Sequence, residues 1–283
     1  MIPLLYLAVV LCSASQSTLN KINRGGDAIR FNFFKGLSAT VLFVAAFLLS
    51  GEDFHLPTLL YGAAQGVLLA VANQAGYRAL HTGPMALTSM LVNFSLIIPF
   101  LVGLICWSER PSVFAYVGFA LLLAALICLN LRGKSGEDKR PSLTWFFFVL
   151  CTLVANGGCS VITTMHQRAY PGAYEFGYTA WGVLLSFLIF GVLALAKGKL
   201  SSKFRLPRCD LYASGAGIAN VLASFFTVLL AAQSPATILY PLLSATTMLA
   251  ALLIGRFLFR EKFTVPQLIG FSLGVFSVAL LNL

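Results

Sequence analysis

The chain has 283 residues, 59% hydrophobic and only 10% charged, with a formal charge of +10 and a mean hydropathy of +0.88. Soluble domains carry about 25% charged residues, so composition excludes a soluble domain and points to one integral membrane domain. The positive charge lies in short segments between apolar runs, with no basic stripe interleaved with aromatics, which argues against a nucleic-acid partner.

A spanning helix needs about 20 mostly apolar residues. In chain order such runs lie near 3–20, 31–50, 57–79, 84–106 and 111–131. After the polar segment RGKSGEDKRP (132–141), others lie near 142–165, 173–196, 209–231, 236–257 and 264–282. They are too long and too uniformly apolar for the alternating strands of a membrane barrel. The expected fold is therefore all-α integral membrane, with ten transmembrane helices. The first run, MIPLLYLAVVLCSAS, lacks a positive segment before it and continues into Gln16, Ser17 and Thr18, so it reads as a first span and not as a cleaved signal. Six cysteines lie mostly inside apolar runs without a C-x-x-C pair, which points to packing and away from a disulfide framework or zinc site.

The chain repeats itself. SERPSVFAYVGFALLLAALICLNL (108–131) and REKFTVPQLIGFSLGVFSVALLNL (260–283) align without a gap at 8 of 24 positions, including Glu109/Glu261, Gly118/Gly270 and Asn130/Asn282. YGAAQGVLLAVANQAGYRALHTGP (61–84) pairs in the same way with YASGAGIANVLASFFTVLLAAQSP (212–235). The expected repeats are 1–131 and 142–283, five helices each, joined by a cytoplasmic loop at 132–141. An odd helix number makes the second copy enter from the opposite side. Such inverted repeats enclose a site near the midplane and alternate its exposure.

Assigning loops alternately to two sides places 17 Lys and Arg on one side and only Arg110 and Arg168 on the other. The basic side is cytoplasmic by the positive-inside rule, so both termini are expected to be extracytoplasmic.

The segment SPATILYPLLSATTMLAALLIGRFLFREKFTVPQLIGFSLGVFSVALLNL (234–283) resembles the end of an EamA-type repeat of the drug/metabolite transporter superfamily. The resemblance rests on Pro235, Pro241, Glu261-Lys262 and Gly270, with Pro84, Glu109-Arg110 and Gly118 in the first half. It covers nearly the whole chain. Two departures stand out: Met90 occupies the place matching Pro241, and the charge bias opposes the termini-inside arrangement usual in that family. The resemblance implies a secondary transporter in a bacterial inner (plasma) membrane, with a central cavity lined by several helices.

Polar residues inside the spans recur at i, i+4 and i+7, which is one helix face. The expected substrate-binding residues are Gln16, Asn73, Tyr77, Asn93, Asn156, Ser160, Tyr178, Trp181, Asn220, Ser224, Tyr240 and Ser244. The competing reading is that these groups join helices through interhelical hydrogen bonds. Tyr174, Tyr178 and Trp181 fall on one face and form either an aromatic wall for a substrate or an interfacial belt. G-x-x-x-G at 62–66 and 270–274 reads as close helix packing. Lys35 sits about a turn inside the second span. It either attracts an anionic group or snorkels to the interface. His81 and His166 lie near span ends and read as interface histidines able to titrate near neutral pH.

No Asp or Glu lies deep in a span. Relatives in the small multidrug resistance family use a carboxylate in their first helix, where this chain reads CSASQSTLN. The expected function is secondary transport of a small metabolite, such as an amino acid or nucleobase, by alternating access in the export direction. The alternative is a multidrug or organic-cation exporter, which the missing carboxylate disfavours. The scattered histidines and peripheral carboxylates give no cluster for an intramembrane enzyme. No cofactor and no metal are expected. The expected partners are the substrate, the lipid bilayer and, for coupling, an ion or an exchanged metabolite.

Overall fold

The structure is a computed structural model that describes residues 2–22, 28–82, 88, 91–130, 142–198, 208–257 and 264–281. The proposed connecting loop 132–141, Pro84, Met90, Glu261, Lys262, Asn282 and the side chain of His81 lie outside the described residues.

Among the described residues the chain is helical and forms no strand. The first helices are α1 (Ile2–Ile22), α2 (Ala28–Ser50) and α3 (Leu56–Thr82), followed by a 3₁₀ turn (Phe94–Leu96), α4 (Ile97–Ile105) and α5 (Val113–Asn130). Then come α6 (Leu143–Ala169), α7 (Glu175–Ala196), α8 (Arg208–Ala231), α9 (Ala236–Phe257) and α10 (Val265–Leu281). Among the described residues five stretches are long and apolar enough to cross a membrane: Ile29–Ser50, Leu56–Ala79, Leu143–Ala169, Glu175–Ala196 and Asp210–Ala231. Five shorter apolar helical stretches accompany them.

Local chemistry explains many helix starts. Ser112 and Ser142 accept the N–H of Ala115 and Trp145 at 3.2 and 3.1 Å, capping α5 and α6. The Thr264 N–H donates to Gln267 Oε1 at 2.9 Å, half of a capping box before α10. Pro57 and Pro266 stand in the first turn of α3 and α10, where an N–H has no helical partner anyway. Pro99 offers no N–H to the Ser95 carbonyl, and the chain tightens into the 3₁₀ turn just before α4.

Two helices are capped from a distance by carboxylates. Glu52 accepts the N–H groups of Phe176 and Gly177 at 3.2 and 2.8 Å, at the start of α7. Glu109 accepts those of Ala236 and Thr237 at 3.2 and 2.9 Å, and the Thr237 hydroxyl at 2.8 Å, at the start of α9. A negative charge on free N–H groups also complements the helix dipole. The residue before Glu109, Ser108, has φ +50°, a left-handed conformation that costs energy outside glycine.

Two compact units form, and each takes segments from both sequence repeats. The first comprises residues 1–74 and 162–233, the second residues 75–161 and 234–283. In the first unit α2 packs on α7 and α8, and α1 on α8. Ala39, Phe43, Ala180, Val183, Val221 and Phe225 form its apolar core. Gly62 and Gly66 of α3 abut α7 so closely that an added Cβ would lie 2.8 Å from the Tyr178 carbonyl oxygen and 2.5 Å from that of Gly182. In the second unit α5 packs on α10 and α9 on α4 and α10. Its core joins Leu96, Leu122, Leu126 and Ala245, and a further cluster holds Ala79, Trp145 and Val149.

Many large apolar side chains face outward, among them Leu49 at 86%, Leu143 at 88% and Val113 at 76% exposure. That surface suits lipid and not water. Hydroxyls behave accordingly. Ser15, Thr18, Thr152, Ser214, Thr246 and Ser272 each donate to the carbonyl four residues back. Serine and threonine in apolar surroundings satisfy themselves in this way.

Candidate functional site

The first unit contains a small recess bounded by α2, α3, α7 and α8. Helical spacing brings its lining together. Asn32, Lys35, Gly36 and Ala39 form one face of α2, and Leu69 and Asn73 one face of α3. Val183, Ser186 and Phe190 come from α7, with Gly217 and Asn220 from α8. These are steps of three, four and seven, which recur on one side of a helix. Ser186 and Asn220 lie near the middle of their helices.

Small residues shape the walls. A Cβ on Gly36 would come within 3.2 Å of the Phe187 backbone. One on Gly217 would collide with the Lys35 carbonyl oxygen and with Ser38 Oγ. Ser38 Oγ donates to the Ser214 carbonyl at 2.9 Å and bonds the Lys35 carbonyl at 3.1 Å, fixing α2 against α8 beside the lysine.

Lys35 is 8% exposed and its Nζ donates to Asn73 Oδ1 at 3.5 Å. The snorkelling reading is thus corrected: the ammonium turns inward, because α2 begins before the expected boundary and places Lys35 two turns into the helix. The described carboxylates of this unit lie elsewhere, Glu175 among them in the first turn of α7. Asp210 forms a two-pronged ion pair with Arg30, at 2.7 and 3.2 Å. Glu52 caps α7, and Asp53 is exposed at the far end of α2. Among the described residues no carboxylate lines the recess.

A second polar group in the same unit centres on His166, which is 0% exposed. The interface reading for this histidine is therefore corrected. It is packed between α3 and α7, with its ring stacked on Tyr178 at 4.4 Å. The proton positions follow from one backbone group. The Gly172 N–H donates to Gln167 Oε1 at 3.3 Å, which leaves Gln167 Nε2 to donate to His166 Nδ1 at 3.3 Å. His166 then carries its proton on Nε2 and donates it to Thr58 Oγ1 at 3.2 Å. Thr58 in turn donates to His55 Nδ1 at 2.9 Å. His55 stacks on Tyr174 at 4.4 Å. Deeper in α6, Thr163 donates to Gln65 Oε1 at 3.2 Å, so the Tyr178 hydroxyl donates to Thr163 at 2.9 Å.

The residues expected from sequence divide between these environments. Asn73 and Asn220 line the recess. Tyr178 is buried against His166, whereas Trp181 faces Phe47 and Phe54 at 5.7 and 6.1 Å, so the two aromatics meet different neighbours. Gln16 is half-buried on α1, and Ser224 donates to the Asn220 carbonyl of its own helix at 3.0 Å. In the second unit Tyr240 donates to the Ser160 carbonyl at 2.7 Å, while Ser160 Oγ reaches the Asn156 carbonyl at 3.4 Å. There Tyr77, Asn156 and Ser244 are half-buried and Asn93 is exposed. Sequence reasoning overlooked Asn32 and Ser186. Asn32 stands three residues before Lys35, a spacing that puts both on one face. Ser186 is the lone polar residue of WGVLLSFLIF.

Among the described residues no three of His, Cys, Asp and Glu come together as a metal site. No family model matches the sequence, and no curated protein matches it. Of solved structures, 29 chains match. One of these, a crystal structure, superposes with a TM-score of 0.80 at 15% identity, over 98% of this chain and 94% of that chain. At that identity the likeness shows a common fold.

Proposed function

We propose that the chain is a secondary transporter for a small organic metabolite. In this reading it is an EamA-like member of the drug/metabolite transporter superfamily, with ten spans as two inverted five-helix repeats. It works by alternating access, in the export direction, in a bacterial inner membrane with both termini outside. The observation that carries the reading is the recess of the first unit. It joins a buried ammonium, three asparagines and a serine to an apolar wall inside a bundle whose outer surface suits lipid. Buried ionisable groups in membrane helices mark solute and ion pathways, and a few placed polar groups in an apolar pocket are the usual make-up of a small-molecule site. The organic-cation reading is weaker, because the one charge at the recess is positive.

The test is counterflow in proteoliposomes. Purified protein is reconstituted with one unlabelled metabolite inside, and uptake of the labelled form is followed for carboxylates, amino acids, nucleobases and lipophilic cations. Uptake confined to one class of small polar metabolite is expected. A preference for lipophilic cations would favour the exporter alternative, and no flux across the panel would end the transporter reading.

A further inference from the structure

We infer that the recess of the first unit binds the carboxylate of a small organic monoanion, with Lys35 as its charge partner. The inference rests on the transporter reading for its biological meaning, but not for the binding itself.

The argument begins with charge. A buried ammonium is costly unless an opposite charge or several acceptors compensate it. Lys35 has three donor hydrogens, and its hydrogen bond among the described residues is one long contact to the Asn73 amide oxygen. Asp210 is taken by Arg30, and Glu52 by the N-terminus of α7. Among the described residues the recess therefore lacks one negative charge, and it faces that missing charge with further donors. Asn32 and Asn220 each offer an amide NH₂ and Ser186 a hydroxyl, and all three line the cavity.

The count of charges selects the ligand. One ammonium among neutral amides balances one negative charge, which fits a carboxylate and leaves a phosphate, about −1.5 to −2 near neutral pH, under-compensated. An amino acid would bring its own ammonium beside Lys35, with no carboxylate in the recess to receive it. Leu69, Val183 and Phe190 give the hydrocarbon part an apolar wall. The charge balance and this lining thus select a short carboxylate with an apolar tail and no amine.

The test uses full-length protein in detergent with four probes: propionate, propionamide, L-alanine and inorganic phosphate. Binding is read by calorimetric titration and by the shift of thermal unfolding, which follows ligand occupancy. Propionate is expected to bind at least tenfold more tightly than propionamide, L-alanine or phosphate. Lys35→Gln should weaken propionate at least tenfold and leave propionamide unchanged. Asn220→Asp is a second variant that does not remove the lysine. It supplies the missing carboxylate internally, and should raise the unfolding temperature while abolishing propionate binding. The inference is overturned if propionamide, L-alanine or phosphate binds as well as propionate, or if propionate binding survives in either folded variant. Propionate binding without counterflow would sink the transporter reading and leave this inference standing. Counterflow of uncharged metabolites without propionate binding would do the reverse.

Discussion

The two compact units share a building method and differ in what they bury. Each uses a glutamate from a neighbouring loop to hold a helix N-terminus, Glu52 for α7 and Glu109 for α9. Each brings helices together where a glycine meets a backbone carbonyl. Among the described residues, however, the second unit's buried polar side chains are only serine and threonine: Thr88, Thr152, Thr237 and Ser277. The first unit also buries Asn32, Lys35, His166, Gln167 and Asp210. A hydroxyl can bond its own helix and needs nothing else. An ammonium, an imidazole or a free amide cannot, and its burial must be compensated by partners built around it. Two units can therefore share a common frame while specialised chemistry gathers in one of them.

The largest test of this contrast is Asp210→Asn. It leaves Arg30 facing a neutral amide in a place built for an ion pair, with Asp210 only 5% exposed and Arg30 26%. Breaking a buried pair costs about 3–5 kcal/mol, and the partial exposure of Arg30 places the expected loss near the lower end. Thermal unfolding in detergent should fall by several degrees. An unchanged midpoint would mean that the ion pair is not part of what holds α2 against α8.

A smaller effect is expected from glycine substitutions, and here the units should separate. At Gly217 a new side chain meets the Lys35 carbonyl, which is backbone and cannot turn aside. At Gly274, in the second unit, it meets the ends of the Leu249 and Met248 side chains at 3.1 and 3.3 Å, which can give way. Overpacking costs about 1–3 kcal/mol. Gly217→Val should lie at the top of that range and Gly274→Val near the bottom. Equal losses would show that α9 and α10 are as rigidly set as α2 and α8. The two caps, by contrast, should match. Glu52→Gln and Glu109→Gln each keep the shape and lose the charge at a helix N-terminus, at an expected cost of about 1 kcal/mol. A clear inequality between them would break the common frame.

Much of this frame was legible in sequence. The apolar runs fall within a few residues of the observed helices, because an unbroken apolar stretch in this composition has few other ways to satisfy its backbone. The fourth run was least faithful: Pro99 splits it into a 3₁₀ turn and the short α4. Asn73 and Asn220 were found because an amide stands out in an apolar helix. The snorkelling alternative for Lys35 arose because the expected span began at residue 31, whereas α2 begins at Ala28. Three residues decide whether a lysine reaches water or turns inward. His166 and Tyr178 could not be paired, since their stacking joins α6 to α7 and leaves no spacing signature. The compact units were also beyond sequence reading. They cut α3 between residues 74 and 75 and α6 between 161 and 162, inside continuous helices.

The smallest expected effect is the sharpest about what helical spacing means. Asn220 and Ser224 are one turn apart and were read from sequence as members of the same cavity face. Ser224 Oγ is engaged by the Asn220 carbonyl at 3.0 Å, within its own helix, and Ser224 does not line the recess. Ser224→Ala removes a bond that the helix does not need, since back-bonding of this kind slightly destabilises and bends helices. Its expected effect on stability is within about 0.5 kcal/mol, with no change in ligand binding. Asn220→Ala, on the same face, should weaken any ligand of the recess by removing an amide that lines it. If the two substitutions weakened binding equally, the whole face of α8 would have to be counted into the site. Hydroxyls that satisfy themselves and amides that wait for a partner would then no longer be separable on this face.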